Sequence, residues 1–285
     1  MDLLKGNVKT IFFKYFIAAF GSSMIMSLYG IVDTVCIGKY EGPNGTAAVA
    51  CFFPLWTLLF ATGLLFGIGG SVLMSRKRGE GKKEEGDAYF TIGLIASCIV
   101  SMILFIAYNL FPTQILSACG ASGKILVLAK QYAFWISLFC PLFLIGHYLI
   151  PFVRNDGDPM RTTIASLIGG GFNIFGDLYF VFVLKMGILG AGLATAIGQI
   201  LFFGVMLNYF FTKKCSLRLI PHPTPFFREL RQIVIMGSSN FMIDISMGLL
   251  TVVFNKQIMM SLGATALSIY GVISSLWKAS RMLAC

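Results

Sequence analysis

Long apolar stretches alternate with short polar connections along this chain of 285 residues. A helix needs about 20 apolar residues to cross the hydrocarbon core of a bilayer, and the stretches lie near or beyond that length. We therefore predict an all-α polytopic membrane protein, a bundle of transmembrane helices. The predicted spans are 11–37, 47–74, 88–111, 128–153, 162–184, 186–211 and 233–262, with a further span that opens near 264.

The composition excludes a water-soluble globule, because 57% of the residues are hydrophobic and only 12% are charged, against about 25% charged in an ordinary soluble domain. Pro54, Pro141 and Pro151 lie inside predicted spans, where a lipid-embedded helix more often kinks than stops. The seven cysteines are scattered without a CxxC pair. They are interpreted as small buried residues, and neither as a disulfide framework nor as a metal site.

The net charge of +10 is distributed unevenly along the chain. Through the sixth span, 15 Lys and Arg residues lie before span 1 and after spans 2, 4 and 6, whereas the intervening connections hold four. This asymmetry follows the positive-inside rule and predicts a cytoplasmic N-terminus in a multi-pass protein of the cell membrane. The sequence lacks the interleaved aromatic and basic surface of nucleic-acid binders, so no nucleic-acid partner is expected.

Two connections divide the chain. Residues 75–90, "SRKRGEGKKEEGDAYF", are interpreted as a solvated loop that sets topology. Residues 212–232 contain "PHPTP", including His222, which blocks a continuous helix. The small-residue run ending in Trp at 261–277 weakly resembles the one at 45–56, which fits two similar halves. The predicted parts are a six-helix lobe (1–212), a cytoplasmic basic linker (213–232) and the start of a second lobe (233–285).

Three acidic residues lie within predicted spans: Asp33, Asp177 and Asp244. A charge at mid-bilayer costs at least about 2.5–3.5 kcal/mol, so such residues usually face a cavity and act there. The alternative is a protonated acid that is hydrogen-bonded across a helix interface or reaches water near a helix end. Asp33 lies near the outer end of its span, where this alternative has more weight.

Asn173 precedes Asp177 by four residues, so both side chains project from one stripe of a helix. Thr195 lies in the next span, in "GAGLATAIGQ". Together with Asp33 these residues provide two carboxylates, an amide oxygen and a hydroxyl. Such oxygen donors suit either a small hard cation or a proton shared between the two carboxylates. The sequence does not decide between them.

Glycine-rich segments such as 63–71 and 187–198 lack the strand and lysine of a phosphate loop, so they are interpreted as sites of close helix packing. His147 is interpreted as a packed or hydrogen-bonded residue in preference to a proton relay.

Several segments carry a family resemblance: "GIVDTVCIGKY", "GLLFGIGGSVLMSRKRGEG", and above all "VRNDGDP" leading into "NIFGD" and "GAGLAT". They resemble the multidrug and toxic compound extrusion (MATE) transporters from about residue 10 to 280. The resemblance implies a cation site at Asp33, Asn173, Asp177 and Thr195. It also places a second-lobe acid at Asp244, with Asn240 and Asn255 as further members of a possible second-lobe site.

Members of that family have twelve helices in two lobes around a central cavity, so a chain with about seven and a half helices is expected to be a fragment or truncated product. The expected function is a secondary antiporter, monomeric at full length, that exports small organic cations in exchange for H⁺ or Na⁺. No cofactor beyond the coupling ion is expected. A flippase for a lipid-linked saccharide is the alternative; a membrane scaffold explains the buried acids less well, and an enzyme is the least supported class.

Overall fold

The computed structural model describes residues 8–221 and 225–284, and the regular structure within these ranges is helical. His222 and Cys285 lie outside the described residues. The helices are α1 (Val8–Glu41), α2 (Pro43–Gly79), α3 (Lys83–Leu110), α4 (Pro112–Ala118), α5 (Gly123–Leu138), α6 (Cys140–Asn155), α7 (Pro159–Asp177), α8 (Gly187–Asn208) and α9 (Phe226–Ala284). A π-helical segment, Leu178–Val183, continues α7, and a 3₁₀ turn, Tyr209–Phe211, ends α8.

Among the described residues, six helices are long and apolar enough to cross a membrane, or seven if α5 and α6 form one broken span. The predicted polytopic helical class is therefore confirmed. The predicted span 128–153 corresponds to α5 and α6, which meet at a bend of 61° around Phe139, close to the kink expected at Pro141, and form one broken span or a re-entrant loop. Pro141 lies in the first turn of α6, where its missing N–H is tolerated. The short helix α4 was not predicted.

The last helix joins two predicted spans. Its backbone is non-helical at Gly263, with φ 80° and ψ −171°, a conformation that favours glycine. This break separates the predicted span 233–262 from the one that opens near 264. The helix begins at Phe226, inside the stretch predicted as a linker, so the non-helical part of that linker is shorter than expected. The division into two lobes stays a prediction.

Glycines bring two pairs of helices into backbone contact. A Cβ on Gly198 of α8 would lie 2.6 Å from the carbonyl oxygen of Gly169 on α7, and the reverse substitution gives the same distance. Between α2 and α9, a Cβ on Gly237 would lie 2.1 Å from the carbonyl oxygen of Leu65. These contacts confirm the interpretation of the small residues as sites of close helix packing.

Candidate functional site

Four predicted site residues converge inside the bundle. Asp33 projects from α1, Asn173 and Asp177 from α7, and Thr195 from α8; they are 4%, 3%, 0% and 4% exposed, respectively. The Nδ2 of Asn173 donates a hydrogen bond to the Oγ1 of Thr195 at 3.0 Å, and the carboxylates of Asp33 and Asp177 lie close enough for their charges to interact. We call these four residues the Asp177 cluster. The structure shows the placement, and their role in transport stays a prediction.

Small residues set the helices of the Asp177 cluster close together. A Cβ on Gly176 would lie 2.9 Å from the Cβ of Ala194 on α8, and one on Gly170 would lie 2.9 Å from the Cγ1 of Ile25 on α1. Because both glycines belong to α7, this helix is clamped between α1 and α8 on either side of Asn173. The glycines therefore allow short polar side chains on three helices to meet.

Most oxygens of the cluster lack a donor. Both carboxylate oxygens of Asp177, the Oδ1 of Asp33 and the Oδ1 of Asn173 are buried without a hydrogen-bond partner among the described residues. Buried polar groups are normally paired, and a buried carboxylate is costly unless a donor or a cation compensates it. A site of this kind can hold a small hard cation or a proton through its oxygens.

Tyr132 on α5 is a fifth polar residue that contacts the Asp177 cluster, and the sequence analysis did not identify it. Its hydroxyl donates a hydrogen bond to the Oδ2 of Asp33 at 2.8 Å, and its main chain lies against α8, where a Cβ on Gly192 would approach the Tyr132 carbonyl oxygen to 2.4 Å. Buried tyrosines usually find a partner, but Tyr108 and Tyr148 bond to main-chain carbonyls instead. Sequence alone does not distinguish these three tyrosines.

The possible second-lobe residues are brought together only in part, because Asn240 and Asp244 lie one turn apart on α9 whereas Asn255 lies elsewhere. Asn240 is exposed, Asp244 is partly buried and Asn255 is fully buried, all on α9. Eleven residues separate Asp244 from Asn255, which is about 16 Å along a helix. Asn255 instead contacts α2, where its Nδ2 donates to the carbonyl oxygen of Ala50 at 2.8 Å. A site that includes both Asp244 and Asn255 is therefore not formed by the described residues.

His147 is packed as expected. Its Nδ1 lies 2.7 Å from the carbonyl oxygen of Phe143, and its ring contacts those of Phe60 and Phe202. The described residues contain no group of three or more His, Cys, Asp or Glu side chains that could hold a metal ion. Of the cysteines, Cys98 departs from the expectation of burial because it lies on the exposed face of α3.

A second polar cluster lies at the C-terminal end of α2, at the basic residues of its last turn. Arg78 donates to the Oδ1 of Asp87 at 2.5 Å and to the Oδ1 of Asp156 at 2.7 Å. The Oδ2 of Asp156 also accepts from the Tyr209 hydroxyl and from the main-chain N–H of Ser216, each at 2.7 Å. We call these five residues the Arg78 cluster.

The Arg78 cluster corrects the interpretation of residues 75–90 as only a solvated loop, since the side chain of Asp87 is 3% exposed and that of Arg78 is 18% exposed. It also fixes the beginning of the predicted linker, because Ser216 bonds to Asp156 through both its main chain and its hydroxyl. The charges were visible in the sequence, but the pairing of Arg78 with both Asp87 and the distant Asp156 has no local signal.

Comparison with known proteins gives consistent likenesses. The MatE family model matches residues 18–179. The multidrug export proteins MepA of Staphylococcus haemolyticus (strain JCSC1435) and Staphylococcus aureus (strain NCTC 8325 / PS 47) are 27% and 26% identical over 251 residues, which are 88% of this chain and 55% of each relative. The structure of the MATE multidrug transporter DinF-BH in complex with R6G superposes with a TM-score of 0.88 at 26% identity, over 96% of this chain and 62% of that one. The chain thus spans about half the length of the curated relatives.

Proposed function

We propose, from the premise that this chain belongs to the MatE family, that it serves in a secondary antiporter that exports small organic, cationic compounds in exchange for H⁺ or Na⁺. The relatives that are multidrug export proteins support this proposal, as does the likeness to a MATE multidrug transporter. Members of this family are transporters and not enzymes. The protein is a multi-pass membrane protein.

The observation that carries the proposal is the Asp177 cluster. It contains two acids and no base, and both oxygens of Asp177 are buried without a donor from the part of the chain that the structure describes. Two carboxylates in a poorly hydrated site repel each other unless a proton or a cation compensates the charge. This arrangement favours a cation as ligand over the pyrophosphate of a lipid-linked saccharide, which would call for Arg or Lys. We therefore keep the antiporter ahead of the flippase.

Coupling requires that the ion and the exported compound favour different arrangements of the helices. An ion between Asp33 and Asp177 would draw α1 and α7 together, since the two acids lie on these helices. A ligand shifts an equilibrium only through its different affinities for the two states. The membrane potential adds a driving force of up to about 2.3 kcal/mol per 100 mV for each positive charge that moves inward. The cluster thereby converts ion binding into a bias on helix packing.

The export experiment compares wild type with Asp177→Asn and Asp33→Asn in membrane vesicles under a Na⁺ gradient and a pH gradient, each imposed separately. Asn keeps the shape of Asp but removes the titratable charge, so we expect both variants to lose ion-driven export. Glu84→Gln is the matched control, because it removes a negative charge from an exposed position. Wild-type ion dependence in both Asp variants, at equal expression, would show that coupling occurs elsewhere.

We further propose that the N-terminus and the 75–87 connection face the cytoplasm, on the charge asymmetry alone. Single cysteines introduced at Lys83 and Glu41, in a variant without native cysteines, should react with impermeant reagents from opposite sides of the membrane. Labelling of both cysteines from outside would contradict this assignment.

A further inference from the structure

A proline in α2 leaves a main-chain carbonyl to which a side chain of α9 donates a hydrogen bond. Pro54 has no N–H, so the carbonyl oxygen of Ala50, four residues earlier, loses its helical hydrogen-bond donor. The Nδ2 of Asn255 on α9 supplies a donor to that oxygen at 2.8 Å. A neighbouring helix that satisfies a carbonyl freed by proline is a recognised solution inside membranes. Asn255 is therefore held against α2 at the carbonyl that Pro54 leaves without a helical donor.

The same bond fixes the direction of the Asn255 amide. A carbonyl oxygen accepts only, so the atom that faces Ala50 must be the NH₂ group and the Oδ1 must point away from it. Asn255 is 0% exposed, and its Oδ1 has no hydrogen-bond partner among the described residues. An oriented, buried oxygen of this kind is available to coordinate a ligand.

Asn255 is one of the residues that line a small cavity between α1, α2 and α9. The cavity has a volume of about 30 Å³ and is lined by no charged side chain among the described residues. That volume admits one water-sized ligand. Its polar lining consists of Thr34, Thr46, Thr251, Asn255 and Ser274.

The hydroxyls in this lining already use their hydrogens. Thr34, Thr251 and Ser274 each donate to a main-chain carbonyl of the same helix, at 2.8, 2.9 and 2.9 Å respectively. The lone pairs of these oxygens, with the Oδ1 of Asn255, are what the wall can offer to a ligand. A water could donate two hydrogens here, but these hydroxyls would give its own lone pairs no donor. A cation has no lone pairs to satisfy.

We propose that this cavity binds a small monovalent cation, such as Na⁺, through neutral oxygens contributed by α1, α2 and α9. Hydroxyl and amide oxygens are ligands suited to a hard cation, and the absence of a carboxylate from the lining matches a single charge. The cavity is distinct from the Asp177 cluster, because Thr34 and Asp33 are consecutive in α1 and project about 100° apart around the helix. A cation in it links α9 to α1 and α2.

The inference is tested without transport. The purified chain carrying Asp33→Asn and Asp177→Asn is unfolded by heat in detergent at increasing NaCl, with choline chloride keeping the ionic strength constant. We expect Na⁺ to raise the unfolding midpoint of this double variant, because a ligand that binds the folded state stabilises it. Adding Thr251→Val, which replaces one cavity oxygen with a methyl group of similar volume, should weaken the apparent Na⁺ affinity about tenfold.

Thr62→Val in the same double variant is the matched control. Thr62 is a buried threonine of α2 whose hydroxyl donates to the Leu58 carbonyl, and the cavity lining does not include it. It should leave the Na⁺ response unchanged. Because Asn255→Leu also removes the bond to Ala50, Thr251→Val is the decisive variant. A double variant without a Na⁺ response, or equal responses with and without Thr251→Val, would overturn the proposal.

The outcomes also separate this inference from the proposed coupling site. If the double variant responds to Na⁺ like wild type and Thr251→Val weakens that response, the cavity binds Na⁺ and the Asp177 cluster contributes no measurable Na⁺ site. If the response disappears with the two acids, the Na⁺ belongs to the Asp177 cluster and the cavity does not bind it.

Discussion

The Arg78 cluster and the Asp177 cluster each bury two carboxylates, but they treat them in opposite ways. In the Arg78 cluster one guanidinium contacts both Asp87 and Asp156. In the Asp177 cluster no described cationic side chain forms an ion pair with either acid. The two carboxylates lie close enough to repel each other when both are charged. Both clusters join segments that are distant in sequence. The difference shows which buried acids hold the fold together and which remain available to a ligand.

In the Arg78 cluster both carboxylates are paired with the guanidinium, although the Nε of Arg78 is buried without a partner among the described residues. Both oxygens of Asp156 accept hydrogen bonds, one from Arg78 and the other from Tyr209 and Ser216. Charge-assisted bonds of this kind are shorter and stronger than neutral ones. A ligand has no unsatisfied atom of Asp156 to bind, so we assign this cluster a structural role: it ties α2, α3 and α6 to the beginning of the linker.

The Asp177 cluster is incomplete among the residues that the structure describes. Asp33 has one donor, the Tyr132 hydroxyl, whereas neither oxygen of Asp177 has a partner among the described residues. Such a site lowers the stability of the fold unless a proton or cation binds. Proteins retain costs of this kind where function needs them.

The largest effect on stability is expected from Arg78→Met, which leaves Asp87 and Asp156 buried without their cation. Breaking a buried ion pair costs about 3–5 kcal/mol, and we expect the lower end because the Arg78 side chain is 18% exposed. Chemical unfolding in mixed micelles measures the change. Arg76→Met is the control, since that side chain is 74% exposed and should change the free energy little. Equal losses in the two variants would contradict a structural role for the Arg78 cluster.

The same substitution in both clusters should have opposite consequences. Asp156→Asn removes the ion pair and replaces an acceptor by a donor, so we expect a loss of about 1.5–3 kcal/mol. Asp177→Asn removes a carboxylate that has no donor to lose, so the free energy of unfolding should stay constant or rise. Both are measured by unfolding at neutral pH without added Na⁺. A loss in Asp177→Asn as large as that in Asp156→Asn would place the two acids in one class.

Sequence reasoning reached the Asp177 cluster because its acids and amide interrupt apolar spans. Asp33, Asn173, Asp177 and Thr195 each stand out where lipid-facing or core residues are expected, and the helical period places Asn173 and Asp177 on one face. The helical class follows from the same apolar pattern. Both the membrane environment of the helices and the residues of the Asp177 cluster could therefore be predicted from the sequence.

The remainder could not be predicted because it depends on contacts between distant segments. Charged residues near basic connections are usually solvated, so Asp87 gave no sign that Arg78 covers it. Tyr132 looks like any other tyrosine of a span until the packing of α5 on α8 places it beside Asp33. Pro141 predicted only a kink in this span, and the size of the bend at Phe139 was not predicted because the apolar pattern continues through it.

Tyr132→Phe sharpens the comparison at Asp33, the acid of the Asp177 cluster that has a donor. The variant removes the 2.8 Å bond to the Oδ2 of Asp33 and keeps the ring, so we expect a loss of about 1 kcal/mol. Tyr179→Phe is the control, because Tyr179 is exposed on the surface of the bundle. If Tyr132→Phe is neutral, Asp33 is as free as Asp177, and the cluster contains two equivalent acids.

The smallest effect is expected at Thr195, whose hydroxyl accepts from the Asn173 amide at 3.0 Å. Thr195→Val keeps the volume and both carboxylates but removes one oxygen and leaves the Nδ2 of Asn173 without its acceptor. If the hydroxyl is one ligand among several, the ion concentration at half-maximal export should rise about two- to fivefold, which is about 0.4–1 kcal/mol, while the maximal rate persists. Thr62→Val, at a buried threonine outside the cluster, should leave that concentration unchanged.

Complete loss of ion dependence in Thr195→Val would make Thr195 as important as the acids. No change would mean that Asn173 and Thr195 only pack α7 against α8, and the ion would then be held by the carboxylates alone.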